Sequence, residues 1–321
     1  MANKPVVWVL ADDRAGNVNQ CLGVAEALGL GFSQKDIRYN SFAKLPNVLL
    51  GATLCGVTKE SRDSIKAPWP DIVIAAGRRT APVARYIKKQ SENKTTLVQI
   101  MHPGRSGAAD FDLICVPVHD GKTLASNEMS MVGAPHRVNE TKLAAAKEHW
   151  QDSFADLPAP KIALIVGGAT KDKVFNEAMA AQLGRMINQM AQDQNGSLLV
   201  TTSRRTGQAA EALLSEIDVP SYRFKWGDEG ENPYFGFLSH ADYIVVTGDS
   251  VSMCSEACAT GKPVLIYAPG EMISDKHKRM VQSLYDTGCA GPFEGGLMSN
   301  NGQPLNAAKD IAARIREICG L

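Results

Sequence analysis

The stretch "YIVVTGDSVSMCSEACATGKPVLIY", Tyr243 to Tyr267, decides the fold. An apolar run over residues 243–246 breaks into Thr247, Gly248, Asp249 and Ser250. A helix-patterned segment follows, and a second apolar run occupies 264–267. Short apolar runs joined by helical pattern are the signature of buried parallel strands with crossover helices. The alternation continues outward. Residues 6–10, 72–75, 97–100, 113–116, 162–166 and 198–201 read as further strands, and 20–28, 81–89, 176–192 and 208–217 as helices. The expected class is α/β, with parallel sheets covered on both faces.

The segment "DSFADLPAPK", residues 152–161, places two prolines between a helical pattern at 140–150 and a fresh strand. It is the expected boundary, giving domains 1–155 and 156–321. Each half then opens with a strand and a polar or glycine-rich turn, "VLADDRAGN" and "IVGGATKD". That points to two doubly wound, Rossmann-like domains in tandem.

The chain's 321 residues suffice for two such domains. Thirty-four basic residues balance thirty-four acidic ones, which argues against nucleic acid as a partner and against bulk membrane binding, while leaving room for a local basic site. No apolar run approaches the ~20 residues of a membrane span. The first apolar run is too short for a secretion signal and reads as a strand. Seven scattered cysteines without a CxxC pair suit reduced thiols and a cytoplasmic location. Cys254 and Cys258, at i,i+4, read as small core residues rather than metal ligands, and His119, His136 and His277 show no metal spacing. No metal and no cofactor is expected. A P-loop and a GxGxxG fingerprint are both absent, which lowers ATPase and NAD-dependent readings.

In the opening stretch, a helix starting near Ser250 puts Asp249, Ser252 and Glu256 on one polar face, opposite Val251, Cys254 and Cys258. Gly248 permits close backbone approach, and the helix start offers free N–H groups to an anion. A carboxylate further along can accept both hydroxyls of a ribose. The stretch thus reads as a nucleotide site at the carboxyl end of a strand; a solvated surface Glu256 is the alternative. "TTSRRTG" places Ser203, Arg204 and Arg205 at another strand end, where arginine suits phosphate oxygens. Two ordinary surface arginines are the equal alternative. Gly167 and Gly168 of "GGAT" can turn backbone N–H groups the same way, or form a simple tight turn.

In the first half, "ADDRAGNVNQ" places Asp12, Asp13, Arg14, Gly16, Asn17 and Gln20 after the first strand. A charged, glycine-containing loop there suits acceptor binding or a general base, with Asp13 the candidate. The alternative makes Asp13 a helix N-cap. "AAGRRTAP", with Arg78 and Arg79, and "QIMHPGR", with His102 and Arg105, also follow strands. His102 is the second candidate base, although a lone His beside Pro is more often structural.

These blocks together resemble a family. "DDRAGNVNQCLGVAEALG" is similar to the "DGRAGHxNQxxGLAEAL" opening of the mitochondrial-fission Elm family of bacteria and plants. "AAGRRTAPVARYIKK", "QIMHPGR", "IVGGATK", "TTSRRTG" and "TGDSVSMCSEACATGKPV" resemble its later blocks in the same order. Asp13 and Asn17 stand where Gly and His are common, so no role of that His carries over. The resemblance implies a glycosyltransferase B-like fold, two Rossmann-like domains facing across a cleft. "SEACATGKP" also resembles the "SEIAAAGLP" of the GlcNAc transferase that makes the second lipid-linked peptidoglycan intermediate. That likeness implies a ribose-holding role for Glu256. The plant members' recruitment of a dynamin-type protein is a separate function, and no dynamin-binding feature is visible here.

The expectation is a metal-independent glycosyltransferase. Its second domain would hold a nucleotide-sugar donor, with a UDP-linked donor the candidate, and its first an acceptor that the sequence does not name. A nucleotide-sugar epimerase of the same fold and a non-catalytic binding or recruitment module are the alternatives.

Overall fold

A computed structural model of the chain describes residues 4–121, 123–296 and 304–321. The chain divides into two compact units: residues 1–137 with 306–321, and residues 138–305.

The first unit runs β1 (Val7–Ala11), α1 (Ala15–Leu28), β2 (Phe32–Asp36), α2 (Asn47–Leu50), α3 (Lys59–Ser64), β3 (Ile72–Ala76), α4 (Ala81–Gln90), β4 (Thr96–Ile100), β5 (Leu113–Pro117) and β6 (Glu128–Met131). Its sheet has the order β2-β1-β3-β4-β5-β6, every pair parallel. β1, β3 and β5 are buried from end to end, as their apolar runs require, and β4 is buried over all but Thr96.

The second unit runs α5 (Glu140–His149), β7 (Lys161–Val166), α6 (Glu177–Asp193), β8 (Ser197–Thr202), α7 (Ala209–Leu214), β9 (Ser221–Phe224), α8 (Tyr234–His240), β10 (Tyr243–Thr247), α9 (Val251–Cys258), β11 (Val264–Tyr267), α10 (Asp275–Asp286) and β12 (Gly291–Pro292). Its order is β12-β11-β10-β7-β8-β9, again all parallel. The chain moves one way from β7 through β8 to β9, then returns beyond β7 to lay down β10. The direction reverses between β7 and β10, and in open parallel sheets the carboxyl ends at such a switch point are where ligands bind.

The last helix, α11 (Ala307–Cys319), belongs to the first unit. Its Ala307, Ala308, Ile311, Ala312 and Ile315 form a buried stripe at helical spacing, in one core with Cys21, Val24, Ala25 and Leu28 of α1. Arg316 Nη2 donates to the Leu28 carbonyl at 2.6 Å, closing the end of α1.

The division between units differs from the one expected at 152–161. The prolines mark the entry to β7, and the chain joins the second unit earlier. α5 packs on α8. Trp150, at the end of α5, stacks on Phe154 with ring centroids 5.7 Å apart, and Phe154 meets Tyr222 and Phe237. Gly236 makes this possible, since a Cβ there would come within 2.6 Å of the Trp150 ring. A segment that buries Phe154 in the second core cannot serve as a solvated linker.

Candidate functional site

The carboxyl ends of β7, β8 and β10 build the candidate site in the second unit. Gly167 and Gly168 follow β7. The Gly167 N–H donates to Thr247 Oγ1 at 2.7 Å, and the Gly168 N–H donates to Asp249 Oδ2 at 3.0 Å. Both glycines are there for space. A Cβ on Gly167 would stand 2.3 Å from the Asp249 carboxylate, and one on Gly168, whose φ is +148°, would stand 2.2 Å from the Arg205 carbonyl oxygen.

Asp249 departs from the expected stripe. It precedes the N-cap Ser250, lies in a turn rather than in α9, and is only 3% exposed. Its Oδ2 also receives Arg205 Nη1 at 2.5 Å, while Oδ1 is buried with no hydrogen-bond partner among the described residues. Arg205 Nη1 further donates to the carbonyls of Gly168 and Ala169, at 3.1 and 3.2 Å. Asp249 and Arg205 therefore clamp the glycine loop. Ser203 belongs to the same scaffold, its hydroxyl donating to the Gly167 carbonyl at 2.6 Å. Arg204 is exposed.

The start of α9 is as the sequence implied. The Ser250 hydroxyl accepts the Met253 N–H, so the first-turn N–H groups of Val251 and Ser252 have no partner inside the helix. Gly248 sits tightly packed, with Ala268, Ile266 and Val281 where a Cβ would reach. Cys254 and Cys258 are buried in the packing face, and burial pushes both thiols up. Val251 is half-buried rather than fully inward, and Ser252 is half-buried as well. Among the described residues no group of three or more His, Cys, Asp or Glu side chains is placed to hold a metal ion.

Glu256 lies half-buried further along α9, and its Oε2 accepts the Tyr234 hydroxyl at 2.6 Å. Burial raises its pKa above the ordinary carboxylate value; the Tyr234 hydrogen bond pulls it partly back. Burial, with the Glu256 charge, holds Tyr234 well above the usual phenol value, so the tyrosine is a donor throughout the neutral range. The carboxylate is thus fixed at one oxygen by a neutral donor.

Two further side chains, His277 and Lys173, are held by residues of this unit's loops and carry no signal in the sequence. His277, in the first turn of α10, sits with Nδ1 2.8 Å from the Ser274 hydroxyl. Burial lowers its pKa, the Asp249 charge opposes this, and Arg205 adds to it, so the imidazole shares their electrostatic surroundings. Lys173 reaches from the loop after β7 to the Gly270 carbonyl at 3.0 Å. Tyr234, in "PYFGF", carries no local signal of its bond to Glu256.

In the first unit, the loop after β1 departs from the N-cap reading of Asp13. α1 begins at Ala15, with Arg14 as a cap that makes no side-chain bond, so Asp13 is not the N-cap. The inward acid is Asp12, which accepts the Arg14 N–H and Asn17 Nδ2, each at 3.0 Å. Asp13 is exposed and paired with Arg79, which also lies over the Tyr39 ring at 4.4 Å. Gly16 is open, with nothing within 4 Å of a Cβ, and Gln20 is half-buried. Arg78 is committed to the backbone of the segment after β2, at Leu45 and Ala43. His102 accepts the Gly104 N–H at Nδ1, 3.0 Å, and faces Glu128 Oε1 from Nε2, 3.1 Å. With the Nδ1 lone pair used, the ring's proton lies on Nε2 and is donated to Glu128. His102 thus has no free nitrogen to act as a base in this arrangement.

The fold is that of known sugar-nucleotide enzymes. UDP-GlcNAc 2-epimerase from Methanocaldococcus jannaschii superposes with a TM-score of 0.54 at 11% identity, covering 98% of this chain and 100% of the other. At such identity the likeness concerns the fold, two parallel-sheet units of the glycosyltransferase B type. An uncharacterised protein of Rickettsia prowazekii is 33% identical, with 97% of each chain covered. The mitochondrial fission protein ELM1 of Arabidopsis thaliana is 30% identical over 84% of this chain and 68% of its own length. The family model described as mitochondrial fission ELM1 matches residues 15–319, a span that holds the glycine loop, the arginine pair and α9. On that match and those relatives, the chain belongs to the mitochondrial fission ELM1 family.

Proposed function

We propose that the second unit binds a UDP-linked sugar at the switch point between β7 and β10, and that the chain is a glycosyltransferase. The observation that carries this reading is the Glu256–Tyr234 pair. A half-buried carboxylate is held at one oxygen, more than a turn along a helix whose open N–H end faces the same strand ends. Phosphate would meet the start of α9, and ribose hydroxyls would meet Glu256. The enzymes of like fold named for UDP-GlcNAc support the choice of base and sugar class. Arg204, with its charge exposed, is the candidate for the diphosphate, and the outer part of Arg205 adds to it. The clamp of Asp249 and Arg205 keeps the Gly167 and Gly168 backbone at the strand ends.

In the transfer, the acceptor hydroxyl loses its proton to a base and forms the new bond to the anomeric carbon. The bond from that carbon to the diphosphate oxygen breaks, and the departing charge is met by arginine and the α9 N–H groups. The acceptor is assigned to the first unit, with Asp13 as the candidate base once Arg79 releases it. The second reading is a nucleotide-binding module without turnover. The engaged state of Asp13 and of both His102 nitrogens favours it.

Calorimetric titration of UDP and 2′-deoxy-UDP into wild type and Glu256→Gln tests the site. The expected loss of UDP affinity is about 1.5–3 kcal/mol, with the deoxy ligand losing little more in the variant. Additive losses would remove Glu256 from the ribose. Incubating UDP-GlcNAc with the protein alone separates the remaining classes: epimerisation without acceptor would displace the transferase reading.

A further inference from the structure

The first unit exposes large apolar side chains in one place. Phe42 is 58% exposed, Leu45 39%, Val48 70% and Leu49 69%, all within eight residues and including α2. Scattered exposed hydrophobics need no explanation, but a cluster on one short segment marks an interaction site.

The segment is held, not loose. Arg78 Nη1 donates to the Leu45 carbonyl at 2.7 Å and Nη2 to the Ala43 carbonyl at 3.0 Å. Asn47 is buried and donates to the carbonyls of Arg78 and Pro103, at 3.0 and 3.1 Å. Ala43 and Leu50 point into the unit and are buried. The backbone is thus bolted down in a form that sends Phe42, Leu45, Val48 and Leu49 outward.

Its charge is one-sided. Between Ile37 and Thr58 the chain carries Arg38 and Lys44 and no acidic residue, with Asp36 and Glu60 standing just outside the span. Ala52, two residues past α2, borders a cavity of about 360 Å³ lined by Arg85, Lys88, Lys89 and Asp110; Lys88 Nζ is bound to Asp112 at 2.6 Å and Arg85 to Asp110, which leaves Lys89 as the excess cation there. Arg85 Nε is bound to Asp110 at 2.6 Å, but its Nη1 is buried without a hydrogen-bond partner among the described residues. Gly107, with φ +78°, leaves the room that the guanidinium fills; a Cβ there would come within 2.1 Å of Arg85 Cζ. The zero net charge of the whole chain does not bear on this local excess.

We propose that this face docks on an anionic lipid bilayer, with the Phe42–Leu49 side chains entering the interface and a headgroup phosphate in the Arg85–Lys88–Lys89 cavity. Four side chains fall well short of the roughly 800 Å² per partner that a stable protein interface needs. Apolar wedges beside a basic cavity match the layered chemistry of a bilayer surface, apolar beneath anionic. The inference stands apart from the donor-site reading, since every residue in it lies in the first unit.

The test is co-sedimentation of the full chain with vesicles of phosphatidylcholine alone and of an equal mixture with phosphatidylglycerol. Wild type is expected to bind the anionic vesicles, with salt weakening the binding. Val48→Ser/Leu49→Ser should lower the partition coefficient at least tenfold, and Lys44→Glu/Lys89→Glu should lower it on the anionic vesicles alone. Circular dichroism and the melting temperature should not change, as the altered side chains are exposed, and UDP titration reports separately on the donor site. No binding by wild type, equal binding by the apolar variant, or equal binding to both vesicle types would overturn the proposal. So would a self-associating wild type that becomes monomeric in the apolar variant, which would assign the face to a second copy.

Discussion

Asp249→Asn tests the clamp that shapes the candidate site. Asparagine keeps the shape of the side chain, which matters because Gly167 leaves no spare room beside it. The charge goes, and one of two faults follows. With the amide oxygen kept toward Gly168 and Arg205, the NH₂ group takes the place of Oδ1, which has no partner among the described residues. With the amide turned, an NH₂ faces two donors. Hydrogen bonds to charged groups contribute about 1.5–3 kcal/mol. Arg205 is 35% exposed at its side chain, so water replaces part of what it loses, and the lower half of that range applies. A local destabilisation of about 2 kcal/mol corresponds to roughly thirtyfold faster amide exchange of Gly168. Hydrogen–deuterium exchange read on peptides covering 162–170 and 243–250, with 72–76 of the first unit as control, measures this. Unchanged protection in the first two peptides would refute the clamp, whatever happened to nucleotide affinity.

Three further outcomes are expected. Gly168→Ala should cost about 3 kcal/mol in urea unfolding, from the clash with the Arg205 carbonyl and the strain at φ +148°, while Gly16→Ala in open helix should be neutral or slightly stabilising; equal effects would contradict the packing described. Tyr234→Phe removes the group that partly offsets the burial-raised pKa of Glu256. UDP affinity, which needs the carboxylate, is present above that pKa and is lost as pH falls through it, so in the variant the loss should begin at higher pH; superimposable profiles would separate Tyr234 from the site. Arg205→Ala should lower both stability and UDP affinity, whereas Arg204→Ala should lower UDP affinity by about 1.5–3 kcal/mol and leave the melting temperature and uridine affinity alone. Equal loss for uridine and UDP would argue against a phosphate contact.

Eight strands could be read from the sequence, and the four that could not are β2, β6, β9 and β12. These are the outer strands of the two sheets. An inner parallel strand is covered on both faces and must be apolar throughout, whereas an edge strand such as "FSQKD" or "SYRF" carries polar groups and gives no apolar run. The glycine loop, the arginine pair and Glu256 were legible because strand ends and helix starts carry local signals. The burial of Asp249 was not. Helical spacing put it in line with Ser252 and Glu256, but it precedes the cap, so that spacing does not apply to it. The pairing of Asp13 with Arg79 joins residues 66 positions apart, which no local pattern reports.

The return of α11 to the first unit sets an order on synthesis. β1 leaves the ribosome before the second unit, yet the stripe of α11 that covers α1 leaves after it, 288 residues later at the Arg316–Leu28 contact. The second unit is continuous in sequence and can complete its own core before that helix emerges. Translation at roughly 5–20 residues per second leaves the first sheet's helix-covered face waiting many seconds with apolar surface open to water. The first unit to be made is thus the last to be finished, and a nascent chain halted before residue 306 offers that bare face to chaperones and to its neighbours on the same message.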